Sequence, residues 1–304
     1  MTTLPAGDAP LVIDSLSLVP QAVVTALLFG MIFALVAAGL ALIWGVADIV
    51  NFAHGEYMLV AMYVTLFVSN TYGVDPLFLI PVNAVLLFVA GYATYRLVIA
   101  KVIEAPMLAQ IFATFALLLI IRYGILYLAG PYTVNVENFM FEGNTRVAGL
   151  VVPHPELVTA VVSVFALGGL FVFLKTTRTG KAIRATSQDW EVARVMGIDT
   201  DRTFAITWGL GIATVGVAGT LVATFQPVQP ELTPTTWTLI AFASVALGGF
   251  GSVLGAVAGG VVIAFVEHVG AVLLDPSFKE MYVFLVFIGA LLLKPEGILN
   301  WGDS

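Results

Sequence analysis

Long apolar runs constrain this chain more than any other feature. Stretches nearly free of charge recur at 21–44, 57–70, 77–99, 107–129, 156–175, 204–226, 237–268 and 278–293. About twenty apolar residues in a helix cover the roughly 30 Å hydrocarbon core of a bilayer. A helix of a soluble core would show a polar face, and these runs mostly show none. Only 10% of the 304 residues are charged and 60% are hydrophobic, whereas a water-exposed surface draws on about 25% charged residues. The expected fold is all-α: a polytopic membrane helical bundle of about eight spans, forming a single domain over 1–304.

Two runs break the pattern. The second, 57–70, is short, and the seventh, 237–268, is too long and is interrupted by Gly248, Gly249 and Gly251. Interruptions in both halves of a chain point to half-length helices, to inverted repeats and to a transport site between them.

Basic residues orient the bundle, since they concentrate on the cytoplasmic side. Arg96 and Lys101 stand at the junction of the third and fourth runs, and Lys175, Arg178, Lys181, Arg184, Arg194 and Arg202 crowd the junction of the fifth and sixth. The loop 130–155, with Glu156 at its edge, carries Glu137 and Glu142 against Arg146 alone. These biases put 176–203 in the cytoplasm, the 130–155 loop outside and, by counting back, the N-terminus outside. Lys294 argues for an inside C-terminus, which eight simple crossings contradict; the conflict disappears if 237–268 is two half-length segments folded at Gly248–Gly251. Residues 1–20 carry Asp8 and Asp14 and no base. They lack the flank of a cleaved signal peptide, so a short retained tail is expected.

Composition also excludes chemistry. Cysteine is absent, which removes disulfides, thiol nucleophiles and cysteine-ligated metals. A net charge of -7 argues against nucleic acid. No Ser/His/Asp set or carboxylate pair stands within the apolar runs to support a membrane enzyme. A secondary transporter would need acids in mid-membrane, where Asp48 and Glu56 are the candidates, and a channel would need no cytoplasmic docking element.

The segment 176–203 is the longest polar stretch on the expected inner face. Asp189 suits an N-cap and Gly197 a left-handed stop, which together bracket a short helix. Val192, Val195 and Met196 share one apolar stripe, Trp190, Ala193 and Gly197 a neighbouring small-residue face, and Glu191 and Arg194 are spaced to pair. Such a helix either lies on the membrane surface as a linker or docks into a groove of a soluble partner.

Glu191-Val192-Ala193, followed after three residues by Gly197, resembles the E-A-A-x-x-x-G core of ATP-binding-cassette importer permeases. The run from Thr179 to Arg202 resembles one subfamily, the branched-chain amino-acid permeases. Asn51-Phe52-Ala53-His54-Gly55-Glu56 matches its early motif. Gly248-Gly249-Phe250-Gly251-Ser252 and Lys294-Pro295-Glu296-Gly297 match its late ones, with Lys where Arg is commoner. The resemblance runs from about Val19 to Gly297. It implies that 176–203 is a coupling segment acting through Arg184, Asp189, Glu191, Ala193 and Gly197. It also implies partners: two cytoplasmic ATPase subunits, a second homologous permease and an extracytoplasmic binding protein. The solutes implied are leucine, isoleucine and valine, or the urea and short amides of close relatives. The chain has no G-x-x-x-x-G-K-[S/T] signature, so ATP is expected to be used by the partners, with no cofactor bound here.

Asn51, His54, Gly55 and Glu56, with Gly248, Gly249 and Gly251, form a candidate translocation path. Ionisable groups inside a bilayer cost about 2.5–3.5 kcal/mol on insertion scales and usually face a cavity, a partner or the substrate. The alternative is an ordinary cytoplasmic turn with Glu56 solvated and His54 capping a helix. His54 and Glu56 alone make no metal site. Gly251, Gly255 and Gly259 recur every fourth residue, a small-residue stripe for close helix packing. Arg122, the base inside the fourth run, is expected to snorkel to the outer surface rather than pair with an acid. His154 and His268 are expected at the interfaces, Glu267 and Asp275 in loops, and Trp44, Trp237 and Trp301 as interface anchors.

Overall fold

The computed structural model describes residues 10–294 and 297. Its helices are α1 (Pro10–Ala47), α2 (His54–Tyr72), α3 (Pro76–Leu97), α4 (Met107–Ala129), α5 (His154–Thr176), α6 (Arg178–Gln188), α7 (Trp190–Val195), α8 (Thr200–Val222), α9 (Leu232–Gly248), α10 (Val253–Leu273) and α11 (Lys279–Leu293). Among the described residues seven helices are long and apolar enough to cross a membrane, and α9 is a shorter apolar helix. The all-α polytopic bundle expected from the apolar runs is the fold found. Two short antiparallel strands, β1 (Asn144–Val147) and β2 (Leu150–Pro153), add a hairpin that the sequence did not signal.

The hairpin marks one end of the bundle and α6 with α7 the other. At the hairpin end the Gln21 amide clasps the Val151 backbone through both its groups, at 2.8 Å each. Asn70 and Asp75 likewise hold the backbone of residues 135–140. Residues 10–20, expected as a tail, are the first turns of α1; Asp8 and Trp301 lie outside the described residues.

Helices α1 and α8 form the core, α1 packing along α10 and α8, and α8 along α3 and α2. Lipid tails are as apolar as Leu, so helices in a membrane associate through close packing of small residues and interhelical hydrogen bonds. Both appear here. Gly39 meets Gly211 backbone to backbone, and Asn83 Nδ2 on α3 donates to Thr65 Oγ1 on α2 at 2.8 Å and Thr220 Oγ1 on α8 at 2.7 Å. By contrast α4 leaves Phe112, Ile120, Tyr123 and Leu128 exposed on the bundle's flank.

The overlong run 237–268 does fold at its glycines. α9 ends at Gly248, and Gly249 and Gly251 take positive φ in the turn before Ser252 caps α10. Only α9, with 17 residues, is short; α10 has 21 and is full length rather than half. The small-residue stripe acts within the chain: Gly255 and Gly259 lie against Gly248 and Ser244 of α9, while Gly251 sits in the turn against Gly45.

Several residues lie deeper than expected. Glu267 belongs to α10, nearly buried and 3.4 Å from Lys279 Nζ, because α11 folds back along α10. His268 packs tilted against Phe29, ring centres 4.6 Å apart, and Trp237 is interior, edge-on to Phe33 at 5.5 Å. Trp44 packs on Phe250 at 4.4 Å. Asp275 is in a connecting segment, where it caps the turn at Ser277, and His154 opens α5 with its ring bonded to Thr145 Oγ1 at 2.7 Å.

Candidate functional site

The early motif is a thread that re-enters the bundle. α1 stops at Ala47, and Asp48 adopts a left-handed conformation, φ 52°, that reverses the chain. Residues 48–53 then run back beside α1. Thr114 of α4 holds the Val50 carbonyl at 2.8 Å, and Asn51 Oδ1 accepts from Ala53 N at 3.2 Å. The His54 ring meets the Val36 carbonyl at 3.0 Å. Val36 precedes the end of α1 by eleven residues, which at 1.5 Å per residue is about 16 Å. α2 therefore begins deep in the bundle. Asn51, His54 and Glu56 are fully buried, which excludes the ordinary solvated turn.

At that depth the first turn of α2 meets the first two turns of α9. Gly55 N donates to Thr238 Oγ1 at 3.0 Å. The approach requires glycine, since a Cβ would lie 2.2 Å from the Pro234 carbonyl. Glu56 points to α4 and ion-pairs with Arg122, whose Nε donates to Glu56 Oε1 at 2.9 Å. Arg122 Nη2 also donates to Thr235 Oγ1 at 3.0 Å. Arg122 thus pairs with an acid instead of snorkelling, for a geometric reason. Helical side chains lean toward their own N-terminus, and α4 begins at the α6–α7 end, where Met107 and Trp190 line one cavity. Leaning that way carries Arg122 toward the middle of the bundle.

The interruption at Gly248, Gly249 and Gly251 lies elsewhere. It sits at the end of α1, Gly251 against Gly45, and is separated from Gly55 by most of α9, about 20 Å at the helical rise. The two interruptions are not brought together. The glycine turn instead borders the 176–203 segment, sharing a cavity of about 710 Å³ with Thr186–Trp190, Trp44 and Asp48.

That segment is two helices, not one. Thr177 accepts from Gly180 N at 2.9 Å and starts α6; Asp189 accepts from Val192 N at 2.9 Å and starts α7. Gly197 follows with φ 86° and open space around it. Val192, Val195 and Met196 are 56%, 87% and 77% exposed. Ala193 is buried, so it packs the helix onto the bundle instead of offering a flat outer face. Glu191 and Arg194 do not pair: the Arg194 guanidinium stacks on Trp190, 4.8 Å from the ring centre, and its Nε donates to Thr200 at 3.2 Å. Arg184 is exposed beside a crevice of about 460 Å³ shared with Ser187, Gly251 and Ser252.

A cavity of about 860 Å³ runs between α7 and the ends of α1, α3 and α4. In its wall Tyr95 donates to Asp201 Oδ1 at 2.9 Å, and Arg96 ion-pairs with the same carboxylate. Sequence reasoning singled out neither that junction nor Thr235 and Thr238.

The family model described as branched-chain amino acid transport system / permease component matches residues 22–293. The chain belongs to this family. It is a membrane transport permease, a component of a larger system that works with other subunits. Among its relatives is the high-affinity branched-chain amino acid transport permease LivH of Escherichia coli strain K12, 28% identical over 89% of this chain and 92% of that protein. BraD of Pseudomonas aeruginosa is 27% identical over 92% of this chain and 95% of its own. A probable LivH of Methanocaldococcus jannaschii is 30% identical over 91% of each. No solved structure matches this permease.

Proposed function

We propose that this chain is the membrane-spanning permease subunit of an ATP-binding-cassette importer moving branched-chain amino acids across the cytoplasmic membrane. The observation that carries the reading is the α7 edge of Val192, Val195 and Met196, exposed at an end of the bundle rich in basic residues. Apolar surface there calls for a protein partner, and a groove on a soluble subunit fits it. The relatives are named for branched-chain amino acid transport, which supplies the substrate class. In this reading α6 and α7 face the cytoplasm and the hairpin and N-terminus face outside. Two ATPase subunits use the ATP, this chain binds no cofactor, and a second homologous permease and an outer binding protein complete the assembly. Arg184, Asp189, Glu191, Ala193 and Gly197 build the coupling element, and the buried thread Asn51–Glu56 stands beside the solute's route, while the turn at Gly248–Gly251 borders α6.

The test is reconstitution in proteoliposomes. Leucine uptake is expected only when the ATPase subunits, ATP, the second permease and the binding protein accompany this chain. The chain alone is expected to hydrolyse no ATP. Uptake by the chain alone, driven by a sodium or proton gradient, overturns the reading.

A further inference from the structure

The Glu56–Arg122 pair is incomplete. Arg122 uses Nε and Nη2 toward Glu56 and Thr235, and its Nη1 has no acceptor among the described residues. Glu56 is fully buried, yet its Oε2 has no donor. The site therefore lacks one acceptor for the guanidinium and one donor for the carboxylate. Leaving a buried polar atom such as Oε2 unmatched costs about 1–3 kcal/mol, more when charged, and such defects concentrate where a ligand or movement completes them.

Position adds a second argument. Arg122 stands fifteen residues beyond Met107, about 22 Å along α4, and its side chain is 21% exposed. Lipid against that edge would meet the exposed part of an ion pair, which hydrocarbon solvates poorly. Water or a polar solute on the α4–α9 face removes the penalty, and Thr235, exposed beside Arg122, continues the polar surface. The apolar residues flanking Arg122 on α4, Leu119 and Tyr123 among them, would then wall the route rather than contact lipid.

The geometry points to Arg122 as the contact for the carboxylate of the transported amino acid, with Glu56 as the counter-charge for its ammonium. This rests on the importer reading and extends it. A zwitterion brings both missing partners: its carboxylate accepts from Nη1 and its ammonium donates to Oε2. These are the groups that leucine, isoleucine and valine share, so the contact is indifferent to their side chains. Because Oε2 is shielded, the ammonium reaches it only when α4 moves outward, and Thr114–Val50 and Arg122–Glu56/Thr235 are the side-chain hydrogen bonds that tie α4 to α9 and the early thread. No bond is made or broken in this exchange beyond hydrogen bonds and ion pairs.

The experiment uses the complete transporter in proteoliposomes, and the chain's lack of cysteine makes thiol labelling clean. Thr235→Cys is expected to react with a charged, water-soluble methanethiosulfonate. A thiol that reacts only with the membrane-soluble N-ethylmaleimide puts lipid on this face and overturns the proposal. The neutral double variant Glu56→Gln/Arg122→Gln is expected to assemble, reaching the membrane and co-purifying with the ATPase subunits as the unsubstituted chain does. Its leucine uptake is expected to fall about tenfold or more, the scale of one charge-assisted hydrogen bond. Normal uptake by that variant means the pair only packs α4, which also overturns the proposal. If the unsubstituted transporter takes up no leucine, the importer reading itself fails, and the comparison separates that failure from the other two.

Discussion

The Tyr95 hydroxyl on α3 and the Asp201 carboxylate on α8, 2.9 Å apart, join two membrane helices at the point where the α6–α7 segment ends. Arg96 adds an ion pair to the same carboxylate. The ion pair is half exposed and adds little to stability. The hydroxyl differs, because Tyr95 is almost wholly buried and loses its acceptor if Asp201 is removed. Asp201→Ala is therefore expected to destabilise the permease by about 1 kcal/mol. Adding Tyr95→Phe should recover part of that loss, since the orphaned hydroxyl goes too. Thermal melting of the two variants in detergent decides it: an equal melting temperature for single and double variants would mean the hydroxyl is solvated from the adjoining cavity.

Gly55 is the tightest point between α2 and α9. A Cβ there would lie 2.2 Å from the Pro234 carbonyl and 2.3 Å from Thr238 Oγ1. Backbone cannot yield as a flexible side chain can, so Gly55→Ala must push the two helices apart. The expected result is a severe fall in folded protein, recovered from membranes as aggregate. Thr238→Ala should cost only about 1 kcal/mol through the lost bond to Gly55 N. Combining the two should not rescue Gly55→Ala, because the Pro234 carbonyl remains. Rescue would show that the hydroxyl, not the backbone, sets the separation.

The depth of the early thread gives a labelling pattern. Asp48 is exposed at the turn, whereas Asn51, His54 and Glu56 are fully buried. Single cysteines at 48, 51, 54 and 56 are read out with an impermeant thiol reagent in inside-out vesicles. Asp48→Cys should label readily, and the other three at least about tenfold more slowly, as solvent exclusion costs about 1.4 kcal/mol or more for each tenfold. Uniform rapid labelling would make 51–56 an open loop.

How much of this was legible in the sequence depends on distance along the chain. The spans followed from apolar runs, which are local. Asp189 and Gly197 were legible because a cap and a left-handed stop are set by neighbours within a few residues. The partner of Arg122 was not, since Glu56 stands 66 positions away. A clue existed: a lone acid at the edge of the second apolar run and a lone base inside the fourth each cost energy that pairing offsets. No helix over 178–188 is legible in the sequence, where Thr179 and Thr186 are weak helix formers; its stability comes from Ile183 buried against the core. The two interruptions read as one site in the sequence because sequence gives no depth; α9's length sets them apart.

The last expectation concerns the α7 edge and its stop. Val195 and Met196 are 87% and 77% exposed, so removing their apolar character takes nothing from the fold. Val195→Asp/Met196→Asp should leave abundance and melting temperature unchanged, surface substitutions lying within about 0.5 kcal/mol. If the edge fills a groove on an ATPase subunit, two buried charges there abolish association and uptake together. Gly197 works differently. Its φ of 86° is costly for side chains other than Asn, and nothing lies within 4 Å to obstruct one. Gly197→Asn should therefore bind the ATPase nearly as the parent does, while Gly197→Val, at about 1–2 kcal/mol of local strain, should misdirect α7 and weaken binding. Co-purification with the ATPase subunits measures all three variants. Full association of Val195→Asp/Met196→Asp would remove α7 as the docking element, leaving α6 and its Arg184 face to be tested in its place.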